Sequence, residues 1–315
     1  MFGKLNPHIV KETVISGLVA LLIYYVSVSF LPFIIFAYPV PFVLMGVKRG
    51  YEYSGIAQLL AFAGVYILDG LSGGVLMAGL GILVAFPMIY ALRRGYTAFQ
   101  SIATVTVICL VAVMGLSFLV SNFKGVDILS NLETSVRVAI DEQVNVIKQL
   151  NIDISIEEFK SYMESGVDMM LALLPSLLFI LSMVVAMLNY YASTGLLRRI
   201  GFGIIDVPKF RNFRLPKDIL RGSLLMIIGV FVLDWFGFGF TTELSLNLTL
   251  VFSFLFLMQG LAVTVYLLGI RFKSATVFLF VVLSLLLNFR LIYVVIGALD
   301  TALDFRNRLG RNRNE

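Results

Sequence analysis

Met169–Leu197 reads MMLALLPSLLFILSMVVAMLNYYASTGLL, 29 residues without a charge, and stops at the pair Arg198-Arg199. At 1.5 Å per residue, about 20 apolar residues in a helix cross a hydrocarbon core roughly 30 Å thick. Val14–Leu31, Gly95–Val120, Leu246–Ile270 and Ser274–Phe289 are equally free of charge. The chain therefore reads as an all-α, polytopic transmembrane helix bundle. Composition agrees: 14% of residues are charged and 59% hydrophobic, against about 25% and 45–50% in soluble domains.

Nine spans are expected, at about 13–31, 33–47, 53–69, 72–92, 97–121, 167–197, 220–240, 246–270 and 275–298. The resulting organisation is five spans in 1–121, an outer helical loop in 122–166 and the sixth span in 167–197. A basic inner loop follows in 198–219, then three spans and a basic tail in 220–315. Lys48-Arg49, Arg93-Arg94, Arg198-Arg199 and Arg271 with Lys273 follow the even-numbered spans. Lys and Arg accumulate on the cytoplasmic side, so the amino terminus is expected in the cytoplasm and the protein in the cell (inner) membrane. Residues 122–168 hold four basic and nine acidic residues, and 198–221 hold seven basic and two acidic. The acidic loop belongs outside and the basic loop inside. Nine spans would also put the four arginines of 306–313 outside, against the same rule.

Two segments have special features. Pro32, Pro39 and Pro41 interrupt the short second span; proline removes a backbone donor, so a broken or re-entrant segment competes with a turn and a tilted short helix. In the outer loop, Leu129, Leu132, Val136, Ala139, Ile140, Val144, Ile147 and Leu150 recur at helical spacing. A turn at 151–154 and a Ser155-x-x-Glu158 capping box then start a second helix, which runs on to a bend near Pro175. The two helices are expected to form a cap on the outer face.

Chemistry is sparse. One histidine, His8, and one cysteine, Cys109, leave no ligand set for zinc, haem or an iron–sulfur cluster and no base or thiol for nucleophilic catalysis. No cofactor, metal site or enzymatic activity is expected. The first span lacks a small-residue cleavage site and is not read as a signal peptide. Basic and aromatic residues form no stacking stripe, so nucleic acid is not an expected partner. The glycines at 70, 73, 74, 79 and 81 lack the lysine and hydroxyl of a phosphate loop; close helix packing explains them, and a ligand on the Gly73-Gly74 backbone is the sharper alternative.

Polar residues inside spans are costly and therefore informative. Gln58, Asp69, Asn189, Asp234, Gln259, Asn288 and Arg290 are the set. The candidate ligand residues are Gln58, Asp69, Gly73, Gly74, Asp234, Asn288 and Arg290. Helical rise puts Asp69, Asp234 and Arg290 at similar depth, so an Asp234–Arg290 pair in a shared polar layer is expected, against separate snorkelling to the headgroups. In the inner loop, Phe210-Arg211-Asn212-Phe213-Arg214-Leu215-Pro216 alternates aromatic and basic residues. Arg211, Phe213, Arg214 and Lys217 are candidates for contact with anionic lipid or with a cytoplasmic partner.

Asn212-Phe213-Arg214-Leu215-Pro216 and the ending Leu299-Asp300-Thr301-Ala302-Leu303-Asp304-Phe305-Arg306 resemble the YybS-like family of uncharacterised bacterial membrane proteins. Such proteins look distantly similar to the substrate-binding subunits of energy-coupling-factor transporters. The resemblance implies a unit that binds a small molecule and helps to translocate it, with the first six spans as the binding part. The alternative is a non-transporting scaffold that recruits envelope or cytoplasmic partners. A pocket beneath the outer cap would favour transport; Phe213 and Arg214 exposed together would favour the scaffold.

Overall fold

The computed structural model describes residues 7–124, 128–150, 155–202 and 209–306, and among them every regular element is helical. The helices are α1 (Pro7–Ser29), α2 (Val40–Arg49), α3 (Tyr51–Arg93), α4 (Ala98–Lys124), α5 (Ile128–Gln149), α6 (Ile156–Ala172), α7 (Leu174–Arg199), α8 (Asp218–Trp235), α9 (Thr241–Leu268), α10 (Ser274–Leu286) and α11 (Arg290–Leu303), with short 3-10 turns at Pro32–Ala37 and Phe210–Asn212. Six are long and apolar enough to cross a membrane, counting Pro32–Arg49 as one, and a bent α10–α11 pair would make seven. Large apolar side chains point outward along them, Leu22, Ile67 and Phe231 being 60%, 81% and 70% exposed. Only lipid makes that surface favourable.

The chain forms two compact units, one of residues 1–113 and 181–207 and one of 114–180 and 208–315. In the first, α3 is not a 43-residue rod. Gly70 has φ 73° and ψ −171°, a conformation open to glycine and strained for other residues. Phe62 packs at Gly74, Gln58 donates to the Ala78 carbonyl at 2.9 Å, and Tyr51 stacks on Phe86 at 5.8 Å. Those contacts run outward from Gly70 in step, so α3 doubles back into two antiparallel arms that match the expected 53–69 and 72–92. The small face of α1 packs on the first arm: a methyl on Gly17 would sit 3.0 Å from the Ala57 carbonyl oxygen.

In the second unit α5 and α6 pair along Ile140, Val144 and Val167, with Phe159 and Met163 packed against them. Arg137 pairs with Asp168 at 2.8 Å and Lys160 with Asp141 at 2.7 Å on the flanks of that seam. The partner carboxylates hold both basic groups charged above their usual range, Glu133 acting first on Arg137 and Asp141 on Lys160. Ser155 caps the start of α6, accepting from the Glu158 amide at 3.3 Å. The expected turn at 151–154 lies outside the described residues.

The helix bends at Leu173, beside Pro175, because Asn247 of α9 enters the ladder there. Asn247 Nδ2 donates to the Ala172 carbonyl at 2.7 Å and its Oδ1 accepts from the Ser176 amide at 3.1 Å. One side chain thus satisfies both ends of a missing i→i−4 bond. Asn247→Ala is expected to cost about 1–3 kcal/mol for each backbone group left unpaired, read as a lower unfolding midpoint. An unchanged midpoint would show that the bend does not depend on it.

The last expected span, 275–298, is not one straight helix. α10 and α11 bend by 117° around Asn288, which has φ 62°. Asparagine tolerates that left-handed conformation better than most residues. With 13 and 14 residues, the two helices measure roughly 20 Å each, too short to cross singly. α8 is not among the six apolar spans because its 18 residues include Asp218, Arg221 and Asp234, but these charges stand at its two ends, and at roughly 27 Å it is long enough to reach across.

Candidate functional site

The proline-rich segment is where the first unit departs from regular helix. Pro32–Ala37 is a 3-10 turn, Pro39 caps α2, and Pro41 lies in its first turn. An interrupted segment in lipid has to be held by its neighbours. Side chains from three helices bind its carbonyls: Ser16 of α1 donates to the Pro41 carbonyl at 2.9 Å, Ser54 of α3 to that of Phe42 at 2.9 Å, and Asn189 of α7 to that of Phe36 at 2.8 Å. Tyr38, Phe42 and Val43 are fully buried beneath these tethers. Gln58 Oε1, Asn189 Oδ1 and the Tyr38 hydroxyl are buried without a hydrogen bond of their own, so the segment's surroundings retain polar capacity.

A cleft of about 450 Å³ runs beside the segment, between α1, α2 and α7. Its walls are apolar side chains such as Ile15, Val19, Leu44 and Leu196, and Glu12 and Lys48 stand among the lining. Glu12 holds Lys48 at 3.2 Å and Arg49 at 2.8 Å, with His8 Nδ1 at 3.7 Å. Arg93 lies over the Tyr51 ring at 5.8 Å, so the basic groups following α2 and α3 gather at one end of the unit. Asp69 sits at the tip of the two arms, accepting from Tyr24 at 2.8 Å with its carboxylate over Gly73.

The second unit contains a buried ion cluster that joins two distant stretches of sequence. Arg306 donates to Asp300 Oδ2 from Nε at 3.1 Å and from Nη2 at 2.9 Å. It also donates to the Arg211 and Phe213 carbonyls, each at 2.9 Å. Gln259 of α9 completes the cluster, donating to Asp300 Oδ2 at 2.6 Å and accepting from the Leu215 amide at 3.0 Å. The side chains of Arg306 and Asp300 are 1% and 2% exposed. Outside the core, Arg214 pairs with Asp304 at 3.1 Å. Close packing supports the clamp: a methyl on Gly260 of α9 would fall on the Tyr293 carbonyl of α11, and one on Gly297 on the Phe256 carbonyl.

The expected site residues separate accordingly. Gln58, Asp69, Gly73 and Gly74 lie in the first unit, and Asp234, Asn288 and Arg290 in the second. Gly74 and Gly81 let the arms of α3 approach each other, the packing reading of that cluster. The Asp234–Arg290 pair does not form. Asp234 accepts from Thr241 at 2.6 Å across the α8–α9 turn, and no ion pair of Arg290 occurs among the described residues. Its depth was counted on a straight helix, which the bend at Asn288 removes.

Phe213 is also corrected as an outward contact, being buried against the clamp with only 7% exposure, while Arg211 and Lys217 remain exposed. Gln259 stood in the sequence as one of several intraspan amides, and Asn247 and Arg306 carried no distinguishing signal. Their partners lie 41 to 95 residues away in the chain, except for Asp300 near Arg306 and the Glu243 carbonyl one turn before Asn247.

A polytopic helical membrane protein built around an interrupted, side-chain-tethered segment is the class these features define. Residues 16–301 match the family described as Predicted membrane protein (DUF2232), and the chain belongs to that family. No curated protein and no solved structure matches it.

Proposed function

We propose that the protein is a transporter-like binding unit of the cell membrane, which holds a small molecule in its first unit and helps to move it across the bilayer. The observation that carries this reading is the interrupted Pro32–Arg49 segment, tethered through its carbonyls by Ser16, Ser54 and Asn189. Interrupted helices present unwound backbone to a cavity, and transporters build their binding sites from them. The adjoining cleft, at about 450 Å³, falls in the usual range of small-molecule sites, roughly 300–1,000 Å³. By the charge rule, the end of the first unit that gathers Lys48, Arg49 and Arg93 faces the cytoplasm. The sequence contains no ATP-binding motif, so energy comes from a partner or an ion gradient; the protein's own work is binding rather than catalysis. A scaffold would have offered Phe213 and Arg214 together as a docking surface, and the burial of Phe213 counts against it.

The test is native mass spectrometry of the purified full chain in mild detergent. A small-molecule adduct is expected on the wild type and should be largely lost in Val19→Trp and Leu44→Trp, which fill the cleft. A wild type without adducts, or an adduct indifferent to both substitutions, would remove the reading.

A further inference from the structure

The bound molecule has a chemical class that the cleft defines. We infer that it is an anionic phospholipid-like amphiphile, with one acyl chain in the cleft and its phosphate at Lys48 and Arg49. This rests on the cleft being the binding site proposed above.

Depth is the first argument. The α1 residues lining the cleft are Glu12, Ile15, Ser16, Val19 and Ile23, one face of the helix over eleven residues or roughly 16 Å. Half of the hydrocarbon core is about 15 Å, so the cleft runs through one leaflet and matches the length of an acyl chain. Its polarity is the second argument. The Ser16 hydroxyl is already committed to the Pro41 carbonyl, which leaves the long walls apolar and gathers the charge at the Glu12 end. A compact polar metabolite would find no partner along those walls; an alkyl chain needs none.

Charge decides the head. Lys48 and Arg49 share the single carboxylate of Glu12, leaving one excess positive charge among the three. Arg49 donates to Glu12 through Nε, and its terminal nitrogens donate to no described residue. Lys48 uses one of three donors on Glu12. Both side chains remain about one-third exposed, at 28% and 33%. Free donors and excess positive charge at the end of an apolar slot favour a net-anionic phosphate head over an uncharged or zwitterionic one. The bidentate fork of Arg49 suits two phosphate oxygens.

The experiment uses the full chain in phosphatidylcholine vesicles that contain a minority of phosphatidylglycerol with a photo-reactive acyl chain. A parallel set carries the same reactive chain on phosphatidylcholine. Crosslinks are mapped by mass spectrometry. Labelling of the peptides containing Val19 and Leu44 by phosphatidylglycerol is expected to exceed that by phosphatidylcholine. Glu12→Gln frees both basic groups and adds one net positive charge, so it should raise the anionic preference by roughly fivefold. The triple variant Glu12→Gln, Lys48→Gln, Arg49→Gln removes the charges without leaving one unpaired, and should abolish the preference. Arg94→Gln, at the same end of the unit but away from the cleft lining, should leave it unchanged.

Cleft labelling that ignores the headgroup, or a preference unmoved by the triple variant, would overturn the anionic assignment while leaving a cleft-bound molecule in place. Absence of cleft labelling by either lipid would overturn the acyl-chain occupant. In that case a persistent small adduct sensitive to Val19→Trp would preserve the broader reading, and its absence would end both.

Discussion

Arg306→Ala will destabilise the second unit by about 3–5 kcal/mol, the usual cost of breaking a buried ion pair from one side. Among the described residues, the substitution leaves Asp300 with Gln259 as its remaining side-chain partner at a position 4% exposed. It also takes the donors from the Arg211 and Phe213 carbonyls. Asp300→Ala should be comparably harmful, because it strands a guanidinium whose side chain is 1% exposed. The double replacement Asp300→Leu with Arg306→Met should be milder than either single change, since no unpaired charge remains. Thermal unfolding in detergent, with the three variants compared in one cycle, measures the coupling directly. Additive losses would show that the two side chains do not act as a pair. An unfolding midpoint unmoved by Arg306→Ala would show that the loop is not held from the tail.

This cluster explains why two stretches of sequence are so distinct. Asn212–Pro216 supplies buried Phe213 and Leu215 and the backbone groups that Arg306 and Gln259 bind. Leu299–Arg306 supplies Asp300 and Arg306 themselves, with Asp304 turning the chain at φ 51° and pairing with Arg214. Alternating basic and aromatic residues suggested a surface that faces lipid or protein. In the structure the alternation is a sorting device: Phe213 and Leu215 go in, while Arg214 and Lys217 stay out.

What the sequence reveals follows from the range of the forces involved. Apolar runs and basic ends act locally, so α1, the arms of α3, α7 and α9 can be read from them, as can the Ser155 cap. Even the interruption at Pro32–Pro41 is visible, because proline alters its own backbone. The α10–α11 bend is not, since it contains no proline and depends on one asparagine in a conformation that the residue merely tolerates. Asn247 and Gln259 look alike in sequence, both amides in an apolar helix. One repairs the α6–α7 bend and the other joins a loop to an ion pair, and only the partners distinguish them. The predicted polar layer fails for a related reason: equal depth along straight helices says nothing about which way each helix turns.

The carboxyl-terminal end lies on the same side of the membrane as the Phe210–Pro216 loop, contrary to the nine-span expectation. Arg306 touches the Arg211 and Phe213 carbonyls at 2.9 Å, a contact that a crossing of roughly 30 Å would forbid. The lengths agree. From the α8–α9 turn, Asp218 lies 17 residues back and Gln259 lies 18 residues beyond Thr241, roughly 26 and 27 Å. The loop that precedes α8 and the part of α9 that binds it therefore share one level. α10 and α11 are then expected to enter and leave on that side as a bent, re-entrant pair, with Arg290 near the bend. This arrangement puts Arg306 on the side favoured by the charge rule. In a Cys109→Ala background, single cysteines at Asn212 and Leu303 are expected to react with a membrane-impermeant maleimide under the same condition, only after the membrane is opened. A cysteine at Trp235, 90% exposed at the far end of α8, should react in intact cells. If Leu303 instead labelled with Trp235 and not with Asn212, α10–α11 would be a true span and the contact of Arg306 with the loop could not exist.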